Sequence, residues 1–319
     1  MNIFKREEPL VKFLAVEKVN MAYNLLTTLL IIVFYNRMQA PQPMFMGRFL
    51  ILVGTFLLIY LYTKYPCKAT RYLRVFCQMA LLNFWYPETF EFNRMFTNLD
   101  HVFAAIDFNI FGCQPSLMFE QVCGSLFWRE LFNFGYWMYY PMIAIVVTYY
   151  FFVRPRESER CSFIILLSFF IYYAVFMFVP VAGPQFYFPV IGEDAAVAGI
   201  YPAIGDYFNN NPAITIAQEG KGALFTNLVG WAQSVGERPT AAFPSSHVGI
   251  TTIMMILAWR MKKWLFAVLF VIYLLLCCAT VYIKAHYLVD VVAGVATALV
   301  VYALTAWIYR RCFSEGLQV

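Results

Sequence analysis

Charge is scarce in this chain. Only 13% of its 319 residues are Asp, Glu, Lys or Arg, against 62% hydrophobic residues. A soluble domain of this length buries a core with far less apolar sequence, so a soluble class is excluded. Histidine is scarcer still, with three copies. The eight cysteines are scattered and form no metal-binding pattern. Cys161, Cys277 and Cys278 lie in or near apolar runs, where a thiol behaves as a small apolar group. Cys113 and Cys123 fall in one predicted outward loop, where a disulfide is allowed in a periplasm or lumen but not required. No internal repeat and no low-complexity linker interrupts the chain. Met1 to Leu14 is charged and weakly amphipathic, with no apolar core ahead of a small-residue cleavage site, so no signal peptide is expected. Nor is there a basic stripe for nucleic acid; the net charge of +5 traces to loops facing anionic lipid.

The chain is rich instead in continuous apolar runs approaching the roughly 18–20 residues that cross a bilayer. A closed β-barrel needs short alternating segments, which are not seen. The fold class is therefore all-α: a polytopic helical membrane protein. About eight spans are predicted, at 20–36, 49–64, 74–88, 133–153, 161–181, 245–259, 264–282 and 287–309. Sixteen of the 23 Lys and Arg residues then fall on one side, and Arg37, Arg48, Arg94, Arg129, Lys221, Arg238 and Lys284 on the other. That bias places both termini in the cytoplasm. Two long loops, about 89–132 and 182–244, lie on the outer side. The first holds Asp100, His101, Asp107 and many aromatics, which suits segments lying in the membrane interface. In the second, Leu224, Leu228, Trp231 and Val235 recur at helical spacing and predict a short amphipathic surface helix.

Two of the three histidines occur in polar clusters inside this lipid-grade sequence. Pro244-Ser245-Ser246-His247 is followed, 39 residues after His247, by His286-Tyr287-Leu288-Val289-Asp290. An Asp at membrane depth costs about +2.5 to +3.5 kcal/mol on an insertion scale, so such residues are functional candidates. A helix opening near Pro244 runs inward to Arg260, and the chain returns by about Tyr282. Two crossings bring His247 and His286 to the same outer level on neighbouring helices. His286 and Asp290, four apart, are expected on one helix face, where the carboxylate accepts from one imidazole nitrogen and frees the other for attack. Both helix N-termini present N–H groups to the same pocket, which suits phosphate, and Ser245 and Ser246 add donors. Each part alone has a plainer reading: an interfacial His, a packing Asp, a Ser that only caps a helix. Together, on the correct side, they favour catalysis. No zinc site is expected, because the histidine spacing is wrong and no thiolate accompanies it.

These residues resemble the type 2 phosphatidic acid phosphatase superfamily. Its second motif, Pro-Ser-Gly-His, is matched by Pro244 to His247 with Ser246 in place of Gly. Its third ends in His-x-x-x-Asp, matched by His286 and Asp290. The likeness is strong over roughly 238–300, weaker from about 100 to 190, and does not reach the first two spans. Phe243 to His247, Pro180 to Pro184, and Glu130, Tyr136 and Tyr139-Tyr140 are most similar to the branch containing fungal inositol phosphorylceramide synthases. The chain departs from hydrolytic members at Thr280, where they carry Arg, and lacks their first motif; Arg238-Pro239 lies too close to His247 to replace it. The resemblance implies a six-helix catalytic membrane domain over 74–319, preceded by an N-terminal segment and two accessory spans over 1–73. It implies that His286 attacks phosphorus, Asp290 orients it and His247 protonates the leaving oxygen, with no cofactor. Ser245, Ser246, Lys284 and Arg238 are the candidate phosphate-binding residues, although Lys284 also fits a snorkelling anchor and Arg238 a solvated loop. The expected partners are membrane lipids as donor and acceptor, with no nucleic acid. The expected activity is transfer of a phosphorylated head group between lipids at the outer or lumenal face. Hydrolysis of a lipid phosphate or polyprenyl diphosphate is the alternative. A transporter using Asp290 is disfavoured, because no inverted repeat is present.

Overall fold

Apolar segments in a membrane must close their backbone hydrogen bonds internally, which favours helices. The computed structural model, which describes residues 3–8, 13–211 and 223–313, is helical nearly throughout. Among the described residues the one extended pairing is a single bridge between Arg6 and Cys67. The N-terminal group comprises α1 (Ala15–Phe34), α2 (Pro41–Lys64), α3 (Lys68–Ala80) and α4 (Leu82–Asn93). Next come α5 (Asp100–Phe111), α6 (Pro115–Val122), α7 (Leu126–Trp137), α8 (Tyr139–Val153) and α9 (Pro155–Phe178). The second long loop carries α10 (Pro184–Ile191), α11 (Glu193–Val197), α12 (Tyr207–Asn210) and α13 (Leu224–Gly236). The chain then forms α14 (Ser246–Ala258), α15 (Lys263–Tyr282) and α16 (Leu288–Phe313).

This is a multi-pass helical membrane protein. Among the described residues, five helices (α1 with its terminal turn, α2, α9, α15 and α16) are long and apolar enough to cross on their own. The pairs α5–α6 and α7–α8, bent by 61° and 41°, bring the number to seven if each is one crossing. The span expected at 245–259 is the 13-residue α14, about 20 Å long and short of a hydrocarbon core of about 30 Å. The segment expected to cross at 74–88 is divided between α3 and α4 at Leu81. Within it, Arg74 and Gln78 are drawn to polar partners on α1.

The short helix α14 is central. It packs against α8, α9, α15 and α16, and nearly all its residues are buried, as expected of a helix apolar all round. Gly294 on α16 makes this packing possible: a Cβ there would lie 2.7 Å from the Ser245 carbonyl oxygen. The two histidine-bearing segments therefore approach at backbone distance.

The N-terminal group is cross-tied by polar side chains. Arg74 on α3 donates to both carboxylate oxygens of Glu17 on α1, each at 2.7 Å, with both side chains fully buried. Asn20 donates to Gln78 (2.8 Å) and accepts from Trp85 Nε1 (3.1 Å), while Gln78 donates to Thr55 on α2 (3.1 Å). Arg48 on α2 pairs with Glu88 on α4 at 2.6 Å. These ties cross the expected division at residue 73.

The surface helix predicted around Leu224–Val235 is α13, but its buried face differs. Thr226, Val229 and Gln233 are buried, and the helix packs on α7, whereas Leu224 and Trp231 are exposed. Cys113 and Cys123 are both free thiols. Lys221, counted among the outward cations, lies outside the described residues.

Candidate active site

His247 occupies the first turn of α14, and His286 lies in the short connection between α15 and α16. Their ring centroids are 5.8 Å apart. The turn from α14 into α15 thus brings the imidazoles together as expected, although α14 is too short to count as a crossing. Pro244 lies two residues ahead of α14 rather than in its first turn. Ser245 is the N-cap, its hydroxyl accepting from Val248 N at 3.4 Å, and Ser246 opens the helix, buried.

The link between His286 and Asp290 differs from expectation. Helix α16 begins at Leu288, so His286 stands outside it and the four-residue helical spacing does not hold. His286 Nδ1 lies 2.7 Å from the Ala242 carbonyl oxygen and 3.6 Å from Asp290 Oδ2. A carbonyl can only accept, so Nδ1 carries the proton and Nε2 keeps its lone pair. The peptide of Ala242, rather than Asp290, fixes the tautomer. Burial pushes the His286 pKa down to about 4, against the opposing Ala242 bond and the Glu237 charge, so the ring is neutral near pH 7. Asp290 is fully buried; its Oδ2 accepts from Tyr287 N at 2.9 Å, and Oδ1 has no partner.

Two other acids hold the His286 segment, and sequence reading gave neither a role. Asp107 on α5 accepts from Leu288 N and Val289 N, each at 2.8 Å, and so caps α16 from another helix. The N–H groups expected to face phosphate at that end are therefore occupied. Asp100 accepts from Ala182 N and Gly183 N at 2.7 Å each and from the Tyr287 hydroxyl at 3.0 Å. Gly183 adopts φ +99°, and a Cβ there would lie 2.6 Å from the Ala285 carbonyl oxygen, so the segment beside His286 requires glycine. Both acids stood in the first long loop, but only the folded chain shows what they bind.

His247 is flanked by aromatic rings, Tyr136 at 4.8 Å and Tyr139 at 4.4 Å between centroids, and its Nδ1 has no partner. Tyr136 donates its hydroxyl to Glu237 Oε1 (2.9 Å), and Gln185 donates to Glu237 Oε2 (2.7 Å). Burial raises the Glu237 carboxyl above the usual range, opposed by those bonds and by His286.

The two expected cations have these partners. Lys284 lies 3.1 Å from both Glu120 and Glu193. Arg238 is half-buried and donates to the Glu237 carbonyl oxygen at 3.0 Å. At the position where hydrolytic relatives are expected to carry Arg, Thr280 donates to the Cys277 carbonyl (2.9 Å), and its own carbonyl accepts from His286 N (3.0 Å). Among the described residues no group of three His, Cys, Asp or Glu side chains is arranged to hold a metal ion.

A neutral imidazole with a free Nε2, a second imidazole beside it and a buried carboxylate behind is an arrangement suited to nucleophilic phosphoryl chemistry on nitrogen. The family comparison agrees with phosphoryl chemistry in general. A family model of the PAP2 superfamily matches residues 112–304, more than half of the chain, and the chain belongs to this superfamily. Its members are phosphatases and phosphotransferases, which makes this chain an enzyme of that broad kind. No curated protein and no solved structure matches the chain.

Proposed function

We propose that this chain is a lipid head-group phosphotransferase, similar to the inositol phosphorylceramide synthase branch, acting through a phosphohistidine. His286 Nε2 attacks the donor lipid's phosphorus, and the bond from phosphorus to the lipid oxygen breaks. His247 gives a proton to that leaving oxygen. The hydroxyl of an acceptor lipid then attacks the phosphohistidine, passes its proton to His247 and releases His286. Asp290 stabilises the positive charge that develops on the His286 ring. In this reading residues 74–319 form the catalytic domain and 1–73 the accessory segment, the termini are cytoplasmic, and the site faces a periplasm or lumen.

The observation that carries the reading is the 5.8 Å imidazole pair with His286 Nδ1 held on a backbone carbonyl. Thr280, where a hydrolytic member would have Arg, favours transfer over hydrolysis. The test is turnover of a phospholipid donor by the purified protein in vesicles, with and without a lipid carrying a free hydroxyl. Head-group transfer that requires the acceptor is expected. Steady release of free phosphate, indifferent to acceptor, would instead assign the chain to the lipid phosphatases.

A further inference from the structure

A second polar cavity lies at the end of α14 away from the histidines. His247 stands in the first turn of that helix and Leu257 in its last, about 15 Å further along the axis. Around Leu257 the ends of α8, α9 and α14 and one side of α16 border a cavity of about 240 Å³, lined by Tyr150, Glu157, Arg160, Arg260 and Tyr302 among others. Charge there is unbalanced. Glu157 accepts from Arg154 through one oxygen and from one nitrogen of Arg260 through the other, each at 2.7 Å. Arg160, half-buried one turn along α9, has no carboxylate within ion-pair distance among the described residues. Its neighbour Glu159 is turned to the start of α1, where it accepts from Ala15 N at 2.8 Å. Three guanidiniums thus stand against one carboxylate, a surplus of two positive charges. The carbonyl end of a helix ordinarily disfavours an anion. Here the Leu257 carbonyl already accepts from the Tyr150 hydroxyl at 2.8 Å and from Arg260 N at 3.2 Å.

We propose that this cavity binds a dianionic phosphate group, inorganic or a monoester, held by Arg160 and Arg260 at the far end of α14. Such a site is independent of which reaction the histidines run. A phosphomonoester carries about −1.5 to −2 charge at pH 7, which matches the surplus, whereas a diester carries a single charge. Guanidinium forks meet phosphate oxygens in pairs. The cavity is smaller than the roughly 300–1,000 Å³ that takes a drug-sized ligand, so it fits a phosphate with a small substituent rather than a nucleotide. A soluble phosphate and a lipid whose head group is a bare phosphate both present that chemistry. The competing role for these residues is mechanical, since Glu157 ties α9 to the end of α14 through Arg260. Arg160 stands outside that tie.

Binding to the detergent-purified full chain tests the site. Inorganic phosphate is titrated by calorimetry, and phosphatidic acid is compared with phosphatidylglycerol, a diester, by native mass spectrometry. Arg160→Gln should weaken phosphate or phosphatidic acid by about tenfold or more, the size of one hydrogen bond to a charged group. Arg160→Lys, which keeps the charge and loses the fork, should cost less, and both variants should unfold near the wild-type midpoint. Repeating the series on His286→Ala separates occupancy at the histidines, because the Arg160 effect should be the same in both backgrounds. A loss confined to inorganic phosphate assigns a soluble ligand, and a loss confined to phosphatidic acid assigns a lipid. The proposal is overturned if the wild type binds neither probe, if both Arg160 variants bind as the wild type does, or if their effect vanishes in His286→Ala. Phosphatidylglycerol binding as tightly as phosphatidic acid, with no binding of inorganic phosphate, overturns it as well.

Discussion

Polar groups are buried in two parts of this molecule, and the two parts treat them differently. Between α1 and α3, Glu17 and Arg74 meet through two bonds of 2.7 Å, and Asn20, Gln78, Trp85 and Thr55 pass hydrogen bonds among themselves. At the histidines, Asp290 Oδ1 and His247 Nδ1 end without partners. The N-terminal group also leaves Arg48 Nε, Arg48 Nη2 and the Tyr23 hydroxyl open. Its buried charges nevertheless meet their opposites, Arg74 with Glu17 and Arg48 with Glu88, whereas Asp290 stands 3.6 Å from a neutral imidazole. Paired charge points to architecture and unpaired charge to chemistry. Both parts have the rarity of charge within apolar sequence that marks functional candidates. The pairing of opposite charges separates them.

The sharpest way to break that contrast is His286→Ala. Turnover should fall on the order of a thousandfold or more, as when the nucleophile of a catalytic unit is removed, while the thermal unfolding midpoint in detergent stays near that of the wild type. Retained turnover would remove the imidazole from the reaction. Asp290→Asn should cost less, about a hundredfold in kcat. In a triad where the carboxylate also fixes the tautomer, the same change costs about ten-thousandfold; here the Ala242 carbonyl does that work, and only the charge is lost. A drop as deep as that of His286→Ala would mean that Asp290 sets the tautomer after all.

The charge-paired side of the contrast predicts the opposite pattern. Glu17→Ala should destabilise the fold by about 3–5 kcal/mol by stranding a buried guanidinium. The turnover of whatever remains folded should be unchanged. Denaturant unfolding and activity per folded molecule measure the two separately. The smallest effect is in pH dependence. With the His286 pKa at about 4, kcat/KM should keep its His286 contribution down to about that pH rather than losing it near the usual 6.5. Unfolding returns the ring to about 6.5, so the unfolded chain binds the extra proton first. The stability from the neutral ring is present above about 6.5 and is lost as pH falls toward 4. An acid limb in kcat/KM near 6.5, with the His286 ring protonating over the same range by NMR, would contradict the burial argument.

Much of the site was legible from sequence. The approach of His247 and His286 could be read from the apolar runs, because α14 and α15 double back on each other, although α14 is shorter than the crossing expected there. The orientation of His286 was not legible. It depended on where α16 begins, and a start at Leu288 rather than before His286 exchanges a side-chain partner for a backbone one. Asp107, Asp100 and Glu237 were equally hidden, since each bonds residues far along the chain and no local pattern encodes that distance. Lys284 showed its charge in the sequence but not the two glutamates that bind it. The expected crossing at 74–88 misled because hydropathy averages over Arg74 and Gln78, whose partners lie on another helix.

The Ala242 carbonyl has a consequence for genetics. No codon change deletes a main-chain oxygen, so a screen of single substitutions will find variants that lack a histidine but none that lack only the acceptor. Drift at residues 241–245 can displace that oxygen without touching any side chain that looks chemical. Inactive natural variants with His247, His286 and Asp290 intact are therefore to be sought in that stretch.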